Sequence, residues 1–131
     1  SFLGPRVSKQ TPVFMVLNAR SVAKPDACAA LCADLKSKNV DVCCISETWL
    51  KDTHMDHLIC PQGFTILRKD RKNRAGGGVA VLCRNDWTIQ EIPLLCNEFE
   101  CLWTKVKTSN SEFFVATVYH PPNPEYIINM I

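Results

Sequence analysis

Two short apolar runs separated by an amphipathic stretch constrain this chain more than any other feature. Residues 13–17, Val-Phe-Met-Val-Leu, are continuously apolar, the pattern of a strand buried on both faces. Residues 40–46, Val-Asp-Val-Cys-Cys-Ile-Ser, read as a second strand. Between them Cys28, Leu31, Cys32 and Leu35 recur at i, i+3, i+4 and i+7, the apolar stripe of a helix. Pro25 and Asp26 suit its first turn, where a fixed φ and a negative charge are both favoured. Lys36 and Lys38 fall at the end that favours cations, and Asn39 is a fitting stop. Strand, helix and strand within about thirty residues is the length of a βαβ unit.

Downstream the periodicity shortens toward strands. After Glu47-Thr-Trp-Leu50 a polar stretch runs to Gln62 and Gly63. A strand at 64–67 enters a basic segment at 68–74, and Gly76-Gly-Gly78 leads into a strand at 79–84. Alternation returns at 88–94. Residues 101–107 and 113–119 flank Thr-Ser-Asn-Ser-Glu, which predicts an antiparallel hairpin with a polar loop. His120-Pro-Pro-Asn-Pro124 should end the sheet, since consecutive prolines cannot donate to it. Residues 125–131 read as the first turns of a helix. The fold class is therefore α/β, a mixed β-sheet with a packed helix layer. Residues 1–12 are expected to be a loose lead-in, and 13–131 a single partial domain.

Composition narrows the function classes. A length of 131 residues suits one domain or part of one. Because 47% of residues are apolar and 21% charged, wholesale disorder is excluded. Fifteen Lys and Arg against thirteen Asp and Glu leave +2, so any nucleic-acid footprint must be local. No apolar run reaches the ~18 residues of a membrane span, and the opening Ser-Phe-Leu-Gly-Pro-Arg lacks a signal-peptide core. The chain starts at Ser1, as a fragment would. None of the eight cysteines forms a C-x-x-C pair. They read as buried thiols acting as small hydrophobes, in a reducing intracellular compartment, nucleus or cytoplasm.

Glu47 is the most informative position. It follows a buried strand at its carboxyl end, where open α/β sheets place ligands, and its carboxylate could hold a hard cation such as Mg²⁺. Asn18 occupies the equivalent spot after the first strand. A turn-forming Asn18 and a solvated or helix-capping Glu47 are the bland alternatives. Arg68-Lys-Asp-Arg-Lys-Asn-Arg74 carries five cations and one acid. Such a loop can track a phosphate backbone or simply be a solvated turn. Trp49, Trp87 and Trp103 adjoin apolar runs and read as core. His54-x-x-His57-x-x-Cys60 lacks a fourth ligand for zinc and reads as a polar loop.

Four motifs occur in order: Leu17-Asn-Ala-Arg-Ser21; Ile45-Ser-Glu-Thr-Trp-Leu50; Arg68-x-Asp-Arg71 with Gly76-Gly-Gly-Val79; and Val118-Tyr-x-Pro-Pro122. Together they resemble the N-terminal half of the endonuclease domain of LINE-type (non-LTR) retrotransposons. Those domains belong to the endonuclease/exonuclease/phosphatase superfamily, with deoxyribonuclease I and the apurinic endonucleases. The match covers residues 13–124. The resemblance implies about half of a four-layer α/β sandwich, with this chain supplying the first of two central sheets and its helix. The sheet face away from that helix, with parts of 79–82, 102–106 and 114–118, would then be open to water.

The resemblance also implies roles. Asn18 would lie near the scissile phosphate and the metal, Glu47 would ligate Mg²⁺ (Mn²⁺ as an alternative), and the Tyr119 hydroxyl would point at the phosphate. Arg71 matches a family position, which points to DNA contact for that residue; with its basic neighbours Arg68 and Arg74, read from charge, it would bind DNA weakly and in a salt-sensitive way. The later motifs Gly-Asp-Phe-Asn and Ser-Asp-His, which supply a water-activating Asp and a catalytic His, do not occur. Asp56-His57 stands too early to replace them. The implied function is a fragment of a Mg²⁺-dependent endonuclease that nicks DNA for retrotransposition and is inactive alone. Its partners would be DNA, the missing C-terminal half and a downstream reverse transcriptase in the parent polyprotein, with no membrane. The alternatives are a non-catalytic remnant with weak nucleic-acid binding, or a related phosphatase or phosphodiesterase fragment.

Overall fold

Residues 11–72, 75–93 and 100–119 are described by the computed structural model. Most of the lead-in, residue 94 of the strand expected over 88–94, Arg74, the proline-rich stop and the helix at 125–131 lie outside them. Residues 92 and 93 are described and already beyond that strand, which ends at Glu91 where Pro93 cannot extend it.

The first three elements are β1 (Phe14–Asn18), α1 (Ala27–Ser37) and β2 (Val42–Ser46). The two strands pair in parallel, with Phe14 opposite Val42 and Asn18 opposite Ser46, which completes the βαβ unit. Helix α1 begins after Pro25 and Asp26 rather than on them. Asp26, at φ 67, makes no side-chain capping bond. A left-handed residue lacks the extended backbone that brings an oxygen over the first-turn N–H groups. Asn39, at φ 55, ends the helix in the left-handed conformation its side chain tolerates. A short helix, α2 (Asp56–Ile59), interrupts the polar stretch and buries only Ile59.

Two more strands, β3 (Phe64–Lys69) and β4 (Val79–Arg84), complete a sheet in the order β1-β2-β4-β3. Alternation then sorts its side chains between two cores. Cys43, Ile45, Ala80 and Leu82 pack with Leu31 and Leu35 of α1. Val42, Val79, Val81 and Cys83 face the other way. Adjacent Cys43 and Cys44 accordingly serve opposite faces.

Strands β5 (Thr88–Glu91), β6 (Glu100–Lys107) and β7 (Glu112–Tyr119) form a separate antiparallel sheet. Its Leu102, Val106 and Val115 close the second core against Val42, Val79 and Val81. The chain thus supplies part of both central sheets, not the first alone. Residues 79–82 and the inward side of 102–106 are buried rather than open to water. The physical reason is that the hairpin carries its own apolar face and folds onto the free face of the first sheet.

Two further expectations fail at the margins. β1 is an edge strand, and Val16 is 82% exposed, so only one of its faces is covered. Trp87 packs edge-on against Phe113 as a core neighbour. Trp49 and Trp103 are exposed instead. Trp103 alternates with Leu102 onto the outer face of β6, and Trp49 lies in the loop after β2.

Candidate active site at one end of the sandwich

Strand directions collect the chemistry-bearing residues. β1 and β2 end together, with Asn18 beside Ser46, and β4 starts there, with Val79 opposite Ser46. In the second sheet Glu100 opens β6 directly across from Tyr119, the last residue of β7. Glu100 Oε1 accepts the Gly78 N–H at 2.5 Å, which fixes this end of the second sheet on the same end of the first. Asn18, Glu47, Arg71, the glycine loop, Glu100 and Tyr119 therefore share one rim.

The loop carrying Glu47 is held on both sides by main chain. On one side Ala19, Ser21 and Val22 donate to the carbonyls of Ser46, Glu47 and Thr48, at 2.9, 2.9 and 3.0 Å. On the other, Thr48 and Trp49 donate to the carbonyls of Gly78 and Gly77, at 3.2 and 2.8 Å. The pairing is bought with left-handed backbone at Arg20 (φ 48), Ser21 (φ 91), Glu47 (φ 54) and Trp49 (φ 57). Such conformations cost non-glycine residues roughly 1–2 kcal/mol each and concentrate where surrounding structure over-determines them.

Asn18, Glu47 and Tyr119 have one property in common: no side-chain hydrogen bond or ion pair engages them among the described residues. By alternation Asn18 lies on the face of β1 that carries Phe14, whose ring meets Phe113 of the second sheet. Tyr119 packs against the core between the sheets. Glu47 is half-buried.

Arg68 and Arg71 beside them are, by contrast, fully engaged, while Lys51 and Lys72 are exposed. Arg68 bonds Asp70 at 2.8 Å, Asp56 at 2.9 Å and the Lys51 carbonyl at 2.7 Å. Its hydrogen bond to Asp70, above all, raises its pKa further. Arg71 bonds Glu100 at 2.5 Å and the Ala75 carbonyl at 3.2 Å. The basic segment is thus no open comb of cations over the residues described. Beside it lies a cleft of about 480 Å³ lined by Lys51, Asp52, Thr53, Asp70, Arg71 and Lys72, among others.

His54 accepts the Lys51 N–H through Nδ1 at 2.9 Å, and Cys60 donates to the Phe64 carbonyl. No cluster of three metal-ligating His, Cys, Asp or Glu side chains occurs among the described residues. That segment is not the polar loop expected of it: Asp56–Ile59 wind into the short helix α2, with Ile59 buried and Cys60 half-buried. One carboxylate with a neighbouring amide oxygen is nonetheless the donor set that Mg²⁺ accepts, since it keeps several waters and substrate oxygens. A half-buried, unpaired Glu47 fits such an ion, because an uncompensated charge there would otherwise be a cost.

No protein-family model matches the chain, and no curated protein matches it. Solved structures do. The AP endonuclease LMAP from Leishmania major superposes with a TM-score of 0.64 at 19% identity, over 81% of this chain. The endonuclease domain of TRAS1, a telomere-specific non-LTR retrotransposon, gives 0.63 at 16% over 92%. TDP2 from D. rerio, complexed with a single-strand DNA product, gives 0.58 at 14% over 89%. The chain has the endonuclease/exonuclease/phosphatase fold. It spans 39%, 52% and 50% of those three chains, about half their length. In this chain the two sheets meet at the rim described above, and both contribute to it.

Sequence reasoning missed Glu100. Its signal was available: residues 100, 102, 104 and 106 share the inward face of β6, so an acid at 100 points between the sheets. Starting the strand at 101 hid that parity.

Proposed function

We propose that the chain is part of a divalent-metal-dependent endonuclease that nicks DNA phosphodiester bonds, of the non-LTR retrotransposon branch. The observation that carries this reading is the rim itself, where Asn18, Glu47 and Tyr119 have no side-chain partner among the described residues while Arg68 and Arg71 beside them are paired. Unspent donors and acceptors gathered at a sheet end await a ligand. Ser46-Glu-Thr-Trp49 and Tyr119-x-Pro-Pro122 favour the retrotransposon branch, and the TRAS1 neighbour agrees with them in fold.

Glu47 and Asn18 would hold Mg²⁺ or Mn²⁺ through oxygen. When bound, the ion supplies Lewis-acid stabilisation of charge on the phosphoryl oxygens. The Asn18 amide and Tyr119 hydroxyl orient the phosphate and donate to charge that develops on it. Arg68 and Arg71 shape the DNA-facing loop, while the exposed Lys51 and Lys72, with Arg74, meet the backbone phosphates. Turnover draws its water-activating Asp and its His from the other half of the domain, with a reverse transcriptase following in the parent polyprotein. Unpaired thiols such as Cys43 and Cys83 suit a reducing intracellular compartment.

A supercoiled-plasmid nicking assay tests the reading. The 131 residues alone should not nick. A chain extended to full domain length should nick with Mg²⁺ and lose that activity with Glu47→Gln. Asn18→Ala should slow it by about 10²–10³-fold, the cost of removing one transition-state donor. Full activity in Glu47→Gln would overturn the proposal.

A further inference from the structure

Arg71 and Glu100 form a device that the rim's unpartnered residues do not explain. The Arg71 guanidinium lies against Gly77, where a Cβ would coincide with it. Its Nη2 meets Glu100 Oε2 at 2.5 Å, and Glu100 Oε1 takes the Gly78 N–H at 2.5 Å. Both side chains are mostly shielded, at 16% and 21% exposure. Gly77 and Gly78 in turn accept the Trp49 and Thr48 N–H groups through their carbonyls. At Gly78 a Cβ would strike the Thr48 hydroxyl. One unbroken line of contact therefore runs from the second sheet, through Glu100 and Arg71, to the glycine loop and the residue next to Glu47.

We infer that Arg71 and Glu100 are positioning residues that hold Glu47 in its left-handed, half-buried pose, resting on the proposal that Glu47 is the metal ligand. Thr48 and Trp49 cannot shift without breaking their bonds to Gly77 and Gly78, whose own place is fixed by the charged pair. Glu100 also pairs across the ladder with Tyr119. The same carboxylate thus sets the spacing between the metal-ligand loop of one sheet and the tyrosine of the other. Arg71 therefore acts inside the protein, and its charge is matched before any nucleic acid arrives. Outer partners of this kind usually change metal affinity 10–100-fold when removed.

The test uses the ¹⁵N-labelled 131-residue chain and its variants Glu100→Ala, Glu100→Gln, Arg71→Ala and Arg71→Lys. Without metal, amide exchange at Thr48 and Trp49 should quicken at least about tenfold in the alanine variants, while the core amides of Val81 and Leu82 keep their rates. Glu100→Gln, which still accepts from Gly78, should fall between wild type and Glu100→Ala and guards against a variant that fails to fold. With Mn²⁺ alone as probe, paramagnetic broadening around Glu47 should need about 10–100-fold more metal in the alanine variants. Unchanged exchange at Thr48 and Trp49, or equal acceleration throughout the core, would overturn the inference. Faster exchange in the variants, with no Mn²⁺ broadening even in wild type, would uphold the clamp and remove the metal reading instead.

Discussion

Burial pushes the thiols of Cys43 and Cys83 up to about 12 from an ordinary 9.0. Asp41 adds to the shift at Cys83. In the unfolded chain these thiols ionise near 9, while in the native state they keep their protons. Their contribution to stability is complete below pH 9 and is lost progressively as the pH rises from 9 to about 12. Urea midpoints should therefore hold level from pH 7 to 8.5 and fall above pH 9, and substituting both cysteines by Ala should flatten the decline. A second residue-scale expectation concerns Gly77. Gly77→Ala strains a backbone at φ 63 and drives a methyl into the Arg71 guanidinium. It should cost more than the roughly 1–2 kcal/mol of the backbone term alone, measured by chemical denaturation. The need for glycines there was legible in Gly76-Gly-Gly78. The burial of Arg71 was not, because a run of cations reads as solvated until a carboxylate from another sheet is seen to meet it.

At the scale of elements, β4 is buried at every position, including Arg84 at its end. Arg84 bonds Asp41 at 3.2 Å and Asp86 at 2.5 Å, and Asp41 also accepts the Val13 N–H at 2.7 Å. This network ties the starts of β1 and β2 to the end of β4, opposite the candidate site. Asp41→Ala should cost about 3–5 kcal/mol, since it leaves a buried guanidinium short of its counter-charge. The double variant Asp41→Ala/Arg84→Met should recover much of that loss, because apolar packing can replace a buried pair. A denaturation double-mutant cycle decides it. Little of this was legible, since hydropathy places a terminal Arg in solvent. The order and pairing of the βαβ unit were legible, because its apolar runs and helical stripe are local, while the open face of β1 and the exact start of α1 were not. The hairpin of β6 and β7 was legible as well, whereas the pairing of β2 with β4 and the packing of the second sheet on the first depend on contacts distant in sequence.

Over the whole molecule, apolar surface remains on the outside. Phe114, Val118 and Trp103 share the outer face of the second sheet, and Phe14 and Val16 mark the open edge of the first. Contiguous exposed apolar area of this kind promotes association. The isolated chain should therefore sediment as a concentration-dependent oligomer. Phe114→Lys with Val118→Lys should shift it toward monomer without moving the near-ultraviolet spectrum of Trp87. A sedimentation series over a tenfold concentration range distinguishes the outcomes. The sequence anticipated exposure at 114–118 but misplaced the rest. A hairpin's alternating pattern states that one face is buried without naming the surface that buries it.

Glu47 holds a conformation, φ 54, that glycine adopts freely and asparagine tolerates. A library of all substitutions at this position, ranked for folded yield alone, should place Gly and Asn above the native acid. Glycine removes a left-handed penalty of about 1–2 kcal/mol and returns only about 0.5–1 in unfolded-chain entropy. Ranked for metal capture, the order should invert. Two screens of one library that disagree at a single codon would show that the carboxylate is kept there against the preference of the fold.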